Sequence, residues 1–178
     1  MSETPALSIY EKAFLQTDKT DAILVVERKK LHVNKALLSI HSDYFNTLFN
    51  SDFKEKSMPE IEIKDVKLED FATLLSFVHG NALKPSGSQV EKLLELSDRF
   101  LLPSVKPYLE QLLINSDNGR FEKLRIAEKY DLEELLYNGI QQFTKEDSIW
   151  RLLETPSYKK LTHSTKVLIL TNVLMQIQ

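Results

Sequence analysis

The segment from Asp21 to Phe49 constrains the fold of this 178-residue chain most strongly, because its hydrophobic period changes partway along. It begins with a β-branched apolar run at 22–26, is interrupted by charged residues, and resumes with an apolar stretch at 31–33. A polar break of this length between two such runs favours a β-hairpin. Apolar residues then recur at helical spacing, with Ser42 and Asp43 as a helix stop and a new N-cap. A hairpin that must pack against a helix pair indicates a compact α+β module.

The order and spacing of these residues resemble the BTB (POZ) domain. The resemblance is carried by Asp21, Leu24-Val25-Val26, Leu31-His32-Val33-Asn34-Lys35, Leu37-Leu38, Ser42, Tyr44-Phe45 and Phe49. Two departures are visible: a Gly that is common in the hairpin turn is absent, and Asn34 stands where His is usual. A longer or type I-based turn can close a hairpin without Gly, so we expect the fold to be kept.

The chain from residue 60 to residue 115 continues the same resemblance. Residues 60–64 alternate between apolar and charged, which predicts a half-buried strand, and residues 65–79 have the spacing of a core-facing helix. Two further helical patterns lie on either side of Pro103. The fold class we expect is α+β, a BTB/POZ fold with a small sheet surrounded by helices, followed by an all-α extension.

The best candidate for a domain boundary is the turn-forming stretch 115–119. Beyond it the pattern is helical, and it resembles the 3-box or truncated BACK region that follows BTB domains in cullin-linked adaptors of the MATH–BTB type. We therefore predict three parts: an N-terminal helical segment at 1–20, a BTB/POZ domain at 21–115, and a 3-box/BACK-like extension at 116–178.

Composition narrows the class of protein further. The net charge is −3, with 23 basic and 26 acidic residues interspersed, so the basic stripe of a nucleic-acid-binding protein is missing. There are no cysteines, which excludes disulfides and cysteine-based metal sites. The longest apolar runs fall far short of the ~20 residues that a membrane helix needs, and the N-terminus lacks a secretory signal pattern. We expect an intracellular protein, in the cytoplasm, the nucleus or both, with neither nucleic acid nor membrane as a partner.

The sequence offers no candidate catalytic residues. The four histidines are scattered without the spacing of metal ligands, and with only four glycines a phosphate-binding loop is not expected. We therefore predict a protein that is not an enzyme and that has neither a metal nor a cofactor.

The N-terminal segment from Ser8 to Gln16 reads as a short amphipathic helix with an aromatic side. It is too short to be stable alone, so it must dock on its own domain or on a second copy of the chain. In homodimeric BTB domains the equivalent helix crosses to the other subunit near the first long helix. The resemblance therefore implies a dimer interface that includes Phe14, Leu15 and Leu37, with packing inside one chain as the alternative.

Asp21 and Lys35 begin the first strand and the first helix. In the BTB pattern these two positions approach each other beneath a groove at the dimer, so the resemblance implies a charged pocket. Its role is either a structural staple or a contact with a partner.

The stretch Phe53-Lys54-Glu55 lies in the loop before the strand at 60–64. Cullin-binding BTB proteins carry an apolar-x-Glu pattern at this place, so the resemblance implies that Phe53 and Glu55 bind a cullin. An aromatic anchor with a carboxylate at the rim suits such a contact. The alternative is that Phe53 folds back onto its own helices and Glu55 is solvated.

Taken together, these patterns predict a protein–protein interaction module. The main hypothesis is a homodimeric adaptor that links an unidentified client to a cullin-3-type ubiquitin ligase. The alternative is a homo-oligomerisation or scaffold BTB protein without a ligase.

Overall fold

The computed structural model describes residues 6–50, 60–80 and 82–176, and the chain divides into two compact units, residues 1–107 and 108–178. The elements of the first unit are α1 (Ile9–Ala13), β1 (Ala22–Val26), β2 (Lys29–Val33), α2 (Lys35–His41), α3 (Asp43–Asn50), β3 (Ile61–Glu62), α4 (Leu68–Ser76) and α5 (Val90–Arg99). Helix α6 (Lys106–Ile114) begins at the end of this unit. The second unit continues with α7 (Arg120–Tyr130), α8 (Glu133–Gln141), α9 (Ile149–Glu154), α10 (Pro156–Lys160) and α11 (His163–Met175).

A three-stranded sheet in the order β2-β1-β3 organises the first unit. Strands β1 and β2 form the predicted antiparallel hairpin, with Val26 paired to Lys29, and β3 runs parallel to β1 with Ile61 opposite Leu24. The buried residues of β1 alternate with partly exposed ones, as expected of a strand with one face on the core. The predicted strand at 60–64 is therefore present but shorter, at Ile61–Glu62.

The hairpin turn is tighter than the sequence led us to expect. Only Glu27 and Arg28 connect the strands, with φ of 48° and 65°, so both residues are left-handed. Two successive positive φ angles define the twist-matched two-residue hairpin turn, which normally contains glycine. The charged break in the sequence is longer than the turn itself, because Lys29 and Lys30 belong to β2.

The side chain of Glu27 gives this strained turn a second role. Its carboxylate accepts a hydrogen bond of 2.9 Å from the backbone amide of Leu68, the first residue of α4. The N-cap residue of α4, Lys67, provides no side-chain hydrogen bond. A carboxylate at a helix N-terminus satisfies an otherwise unpaired donor and is favoured by the helix dipole.

The helix pair α2–α3 is joined at Ser42, as predicted. The Ser42 hydroxyl accepts from the Phe45 amide and donates to the Phe100 carbonyl, so it caps α3 and ties it to the end of α5. Behind it the rings of Phe45 and Phe100 stack at 5.9 Å, and Phe71 meets Phe100 edge-on at 5.0 Å. This aromatic cluster forms the centre of the first unit.

In the part that the structure describes, the regular elements of the second unit are all helices. Its core is formed by Leu124, Ile140, Phe143, Leu152, Tyr158, Leu161, Ile169 and Val173. Arg120 at the start of α7 binds both carboxylate oxygens of Asp147, at 2.8 and 2.6 Å, and its guanidinium lies 4.0 Å from the centre of the Phe143 ring. The pairing with Arg120 lowers the pKa of Asp147. The all-α extension is confirmed, although helix α10 was not predicted from the sequence.

Candidate interaction surface

A groove with a volume of about 480 Å³ opens beside the C-terminal end of α1. Its walls come from four parts of the first unit: the chain from 13 to 20, strand β2, the start of α2 and the end of α4. The lining residues are Ala13, Phe14, Leu15, Thr17, Lys19, Thr20, His32, Asn34, Leu37, Ser76 and His79. All three predicted dimer residues therefore lie around one groove, which we call the α1–α2 groove.

Polar contacts hold the α1 segment, residues 8–14, against strand β2. Ser8 and Glu11 cap each other reciprocally at the start of α1, and the Glu11 carboxylate lies 3.0 Å from the ammonium of Lys29. The Ser8 backbone amide and then Lys29 lower the pKa of Glu11 to about 2. Because the helix has only five residues, it depends on such contacts and on its packing against α4 to stay in place.

Phe14 anchors the other end of the α1 segment. Its side chain is 2% exposed and meets the ring of His79 edge-on at 5.2 Å, while its carbonyl accepts a 3.0 Å hydrogen bond from the His32 amide. Phe14 thus packs inside its own chain, as in the alternative considered from the sequence. The surface available to a partner at this place is provided by other residues.

Leu15 and the outer face of α2 are the exposed apolar part of the groove region. Leu15 is 51% exposed, and Leu37 is partly buried where it lines the groove. Ile40, one turn further along α2, is 79% exposed, and Leu38 is the residue by which α2 enters the core. An exposed apolar stripe beside a groove is a common feature of protein–protein interaction sites.

Asp21 and Lys35 approach each other, but through the backbone. The Asp21 carboxylate accepts a 2.8 Å hydrogen bond from the Lys35 amide at the start of α2. The Lys35 ammonium lies over the ring of Phe49, 5.9 Å from its centre. Next to them, Asn34 caps α2 through the Leu37 amide and donates to the Lys19 carbonyl. These contacts fix the start of α2 to the chain that precedes β1.

The predicted cullin-binding residues, Phe53 and Glu55, lie outside the described residues. Their proposed role stays a prediction from the sequence pattern.

Two residues of the site escaped the sequence analysis. Asn34 was noted only as a departure from the usual His, although Asn is a strong N-cap and stands directly before a helical pattern. His79 carried no local signal, because the ring that it meets lies 65 positions earlier in the chain. A long-range contact of this kind has no signature in local spacing.

The described parts of the chain lack two features of other functional classes. They contain no group of three or more His, Cys, Asp or Glu side chains that could hold a metal ion. None of the helices in residues 6–50, 60–80 and 82–176 has the length and apolar character that crossing a bilayer needs.

Comparison with known families shows to which family the chain belongs. Residues 10–117 match the BTB/POZ domain family, and this chain belongs to that family. BTB domains are protein-interaction modules, and that class agrees with the exposed groove described above.

Relatives of known domain content support the assignment. The chain is 36% identical to BTB and MATH domain-containing protein 36 of Caenorhabditis elegans over 147 residues, which covers 82% of this chain and 46% of that protein. It is 31% identical to BTB and MATH domain-containing protein 38 of the same organism, over 93% of this chain and 43% of that protein. A further BTB/POZ domain-containing protein of Caenorhabditis elegans is 37% identical, over 88% of this chain and 50% of its own length. The chain thus spans about half the length of the curated relatives that it matches.

Proposed function

We propose that this protein is a homodimeric adaptor, not an enzyme, that links a client protein to a cullin-3-type ubiquitin ligase in the cytoplasm, the nucleus or both. The observation that carries the proposal is the α1–α2 groove of a BTB domain, with Leu15 and Leu37 at its wall and Ile40 on the same helix. Such an adaptor does no chemistry itself, and acts by raising the effective concentration of the client at the ligase.

The dimer is proposed to form through the groove region. Two copies that each present the same apolar surface can bury it in a symmetric contact, which is the usual way in which homodimers form. Hydrogen bonds and an ion pair hold the α1 segment and the start of α2 in place before binding. This preorganised surface lowers the entropic cost of association.

The cullin contact is assigned to Phe53 and Glu55 on the basis of the sequence pattern that cullin-linked BTB proteins share. The domain boundaries at 20/21 and 115/116 belong to the same proposal, with the helical extension widening the surface presented to the ligase.

Dimer formation is tested by changing the exposed apolar surface. We expect Leu15→Asp, which places a charge in the contact, to shift the particle from dimer to monomer mass in light scattering. Leu101→Asp is the matched control, since Leu101 is also 51% exposed and does not line the groove. Monomeric wild-type protein, or a dimer that survives Leu15→Asp unchanged, would contradict the proposed interface.

Cullin binding is tested with an immobilised N-terminal fragment of a cullin-3-type scaffold. We expect the double change Phe53→Ala and Glu55→Ala to weaken binding at least about tenfold, as the loss of an interface hot spot does. Lys54→Ala, between the two, serves as the control that keeps binding. A wild-type dimer that does not bind the fragment would support the scaffold alternative instead.

A further inference from the structure

His79 is the unusual residue of the α1–α2 groove. Its Nε2 atom is buried and has no hydrogen-bond partner among the described residues. The imidazole supports the ring of Phe14, which in turn holds the C-terminal end of the α1 segment. A neutral ring loses one hydrogen bond in such a place, whereas an imidazolium whose buried N–H has no acceptor is far more unfavourable.

The surroundings of His79 offer a positive charge nothing to pair with. The titratable side chains that line the groove with it are Lys19 and His32, and the described lining contains no carboxylate. The Ser76 hydroxyl already donates to the Thr73 carbonyl and accepts from the Leu83 amide. A proton added at the buried Nε2 atom would therefore find no acceptor in this lining, and movement of the Phe14 ring, which meets the imidazole edge-on, would let water reach that atom.

The polar contacts that hold the α1 segment do not change in mild acid. Glu11, which binds Lys29 and caps α1, has a pKa of about 2 and stays ionised throughout the physiological range. The hydrogen bond from the His32 amide to the Phe14 carbonyl joins two backbone groups and has no proton to gain.

We propose that His79 is an acid-sensitive latch: when its imidazole gains a proton, Phe14 leaves its site and the α1 segment is released from strand β2. The effect of the latch on the dimer rests on the proposed function, since the released segment carries Leu15 away from the groove. The fastening of the α1 segment to its own chain does not depend on that proposal.

The direction of the pH dependence follows from burial, which lowers the pKa of His79 below its ordinary value of about 6.5. The closed state, with Phe14 in its site, binds the neutral form of His79. It therefore keeps its full stability when the pH is above the ordinary histidine pKa. The stabilisation decreases as the pH falls below about 6.5 and toward the lowered pKa. The α1 segment should therefore be tightly held at pH 7.5 and looser at pH 5.5.

Hydrogen exchange at the backbone amide of residue 32 tests the latch directly, because that amide donates to the Phe14 carbonyl. After correction for the intrinsic exchange rate, we expect its protection in the wild-type protein to fall by up to about tenfold between pH 7.5 and 5.5, as binding of one proton to the open state requires. The Ile63 amide, bonded to the Val25 carbonyl in the sheet, serves as the internal reference and should keep its protection.

Two variants separate the histidines of the groove. His79→Leu removes the titrating group and should make protection at position 32 independent of pH, whereas His32→Gln should keep the wild-type dependence. The latch is overturned if wild-type protection changes less than about twofold, or if His79→Leu shows the same fall as the wild type. It is also overturned if His32→Gln alone abolishes the dependence.

Light scattering on the same samples distinguishes this proposal from that of the dimer. A wild-type monomer at pH 7.5 would refute the proposed dimer, while exchange at position 32 would still decide the latch. If the wild type is a dimer, we expect it to weaken at pH 5.5 and the His79→Leu dimer to be unaffected. Equal weakening of both dimers would overturn the regulatory part of the proposal.

Discussion

Helices α4 and α11 are both rich in apolar residues, yet they are used in opposite ways. In the first unit α4 buries eight of its nine residues, polar ones included. In the second unit α11 has thirteen residues and buries three of them, Thr165, Ile169 and Val173. The difference teaches that apolar composition does not by itself make a helix central, since a helix is enclosed only when elements pack on several of its sides.

The exposed side of α11 is correspondingly apolar. Val167, Leu168, Leu174 and Met175 are all exposed, and the one lysine of the helix, Lys166, donates from its ammonium to the Lys159 carbonyl. The apolar residues of α4 stabilise the fold, whereas most of those on α11 remain in contact with solvent in the isolated chain.

The largest expected effect comes from truncating one leucine in each helix. Leu74→Ala in α4 removes a fully buried side chain and should lower the free energy of unfolding by about 2–5 kcal/mol. Leu168→Ala in α11 should change it by less than about 0.5 kcal/mol, because that side chain is exposed. Urea denaturation followed by circular dichroism measures both. Equal losses would show that α11 is covered in solution and would break the comparison.

A smaller effect is expected at the packed side of the second unit. A Cβ atom added at Gly139 in α8 would lie 2.8 Å from Cδ2 of Leu124, which is fully buried in α7. We expect Gly139→Ala to destabilise the unit by about 1–2 kcal/mol despite the better helix propensity of alanine.

Gly87→Ala is the matched control for this change, since no atom lies within 4 Å of its added Cβ. Urea denaturation followed by circular dichroism, which follows both units, measures the two variants. If Gly139→Ala left the free energy of unfolding unchanged, the contact between α7 and α8 would be loosely packed.

The smallest effect is expected at the ion pair between Arg120 and Asp147 in the second unit. Asp147→Asn removes the charge that Arg120 binds and should cost about 1 kcal/mol at pH 7. Because the pKa of Asp147 is lowered in the folded protein, this stabilisation is present above the ordinary aspartate value of about 3.9 and is lost as the pH falls through the lowered value. The stability difference between wild type and variant should therefore vanish in acid.

The neighbouring change Glu146→Gln should have no comparable effect, since among the described residues the one hydrogen bond of Glu146 uses its backbone amide. Thermal unfolding over a series from pH 7 down to pH 2 measures both variants. A difference for Asp147→Asn that does not narrow as the pH falls below about 3.9 would assign its effect to packing instead of charge.

Local patterns predicted the elements whose causes are local. The hairpin, the Ser42 cap and the α4 helix follow from hydrophobic period and from a side chain that bonds to its near neighbours. Helix α10 was missed because it is a five-residue helix that begins at a proline, between two longer patterns.

The parts that could not be predicted depend on distant contacts or on backbone strain. The ring of His79 meets Phe14, and Glu27 reaches the start of α4, across separations that no local window contains. The resemblance to BTB domains correctly gave the family, but the same pattern did not show that Phe14 packs within its own chain.

The doubly left-handed turn at Glu27 and Arg28 has a consequence for how this domain tolerates change. Glycine would relax the backbone at position 27, yet it would also take away the carboxylate that holds the first amide of α4. A substitution that improves the loop would thus loosen a helix more than forty positions away, and neither site can be optimised alone.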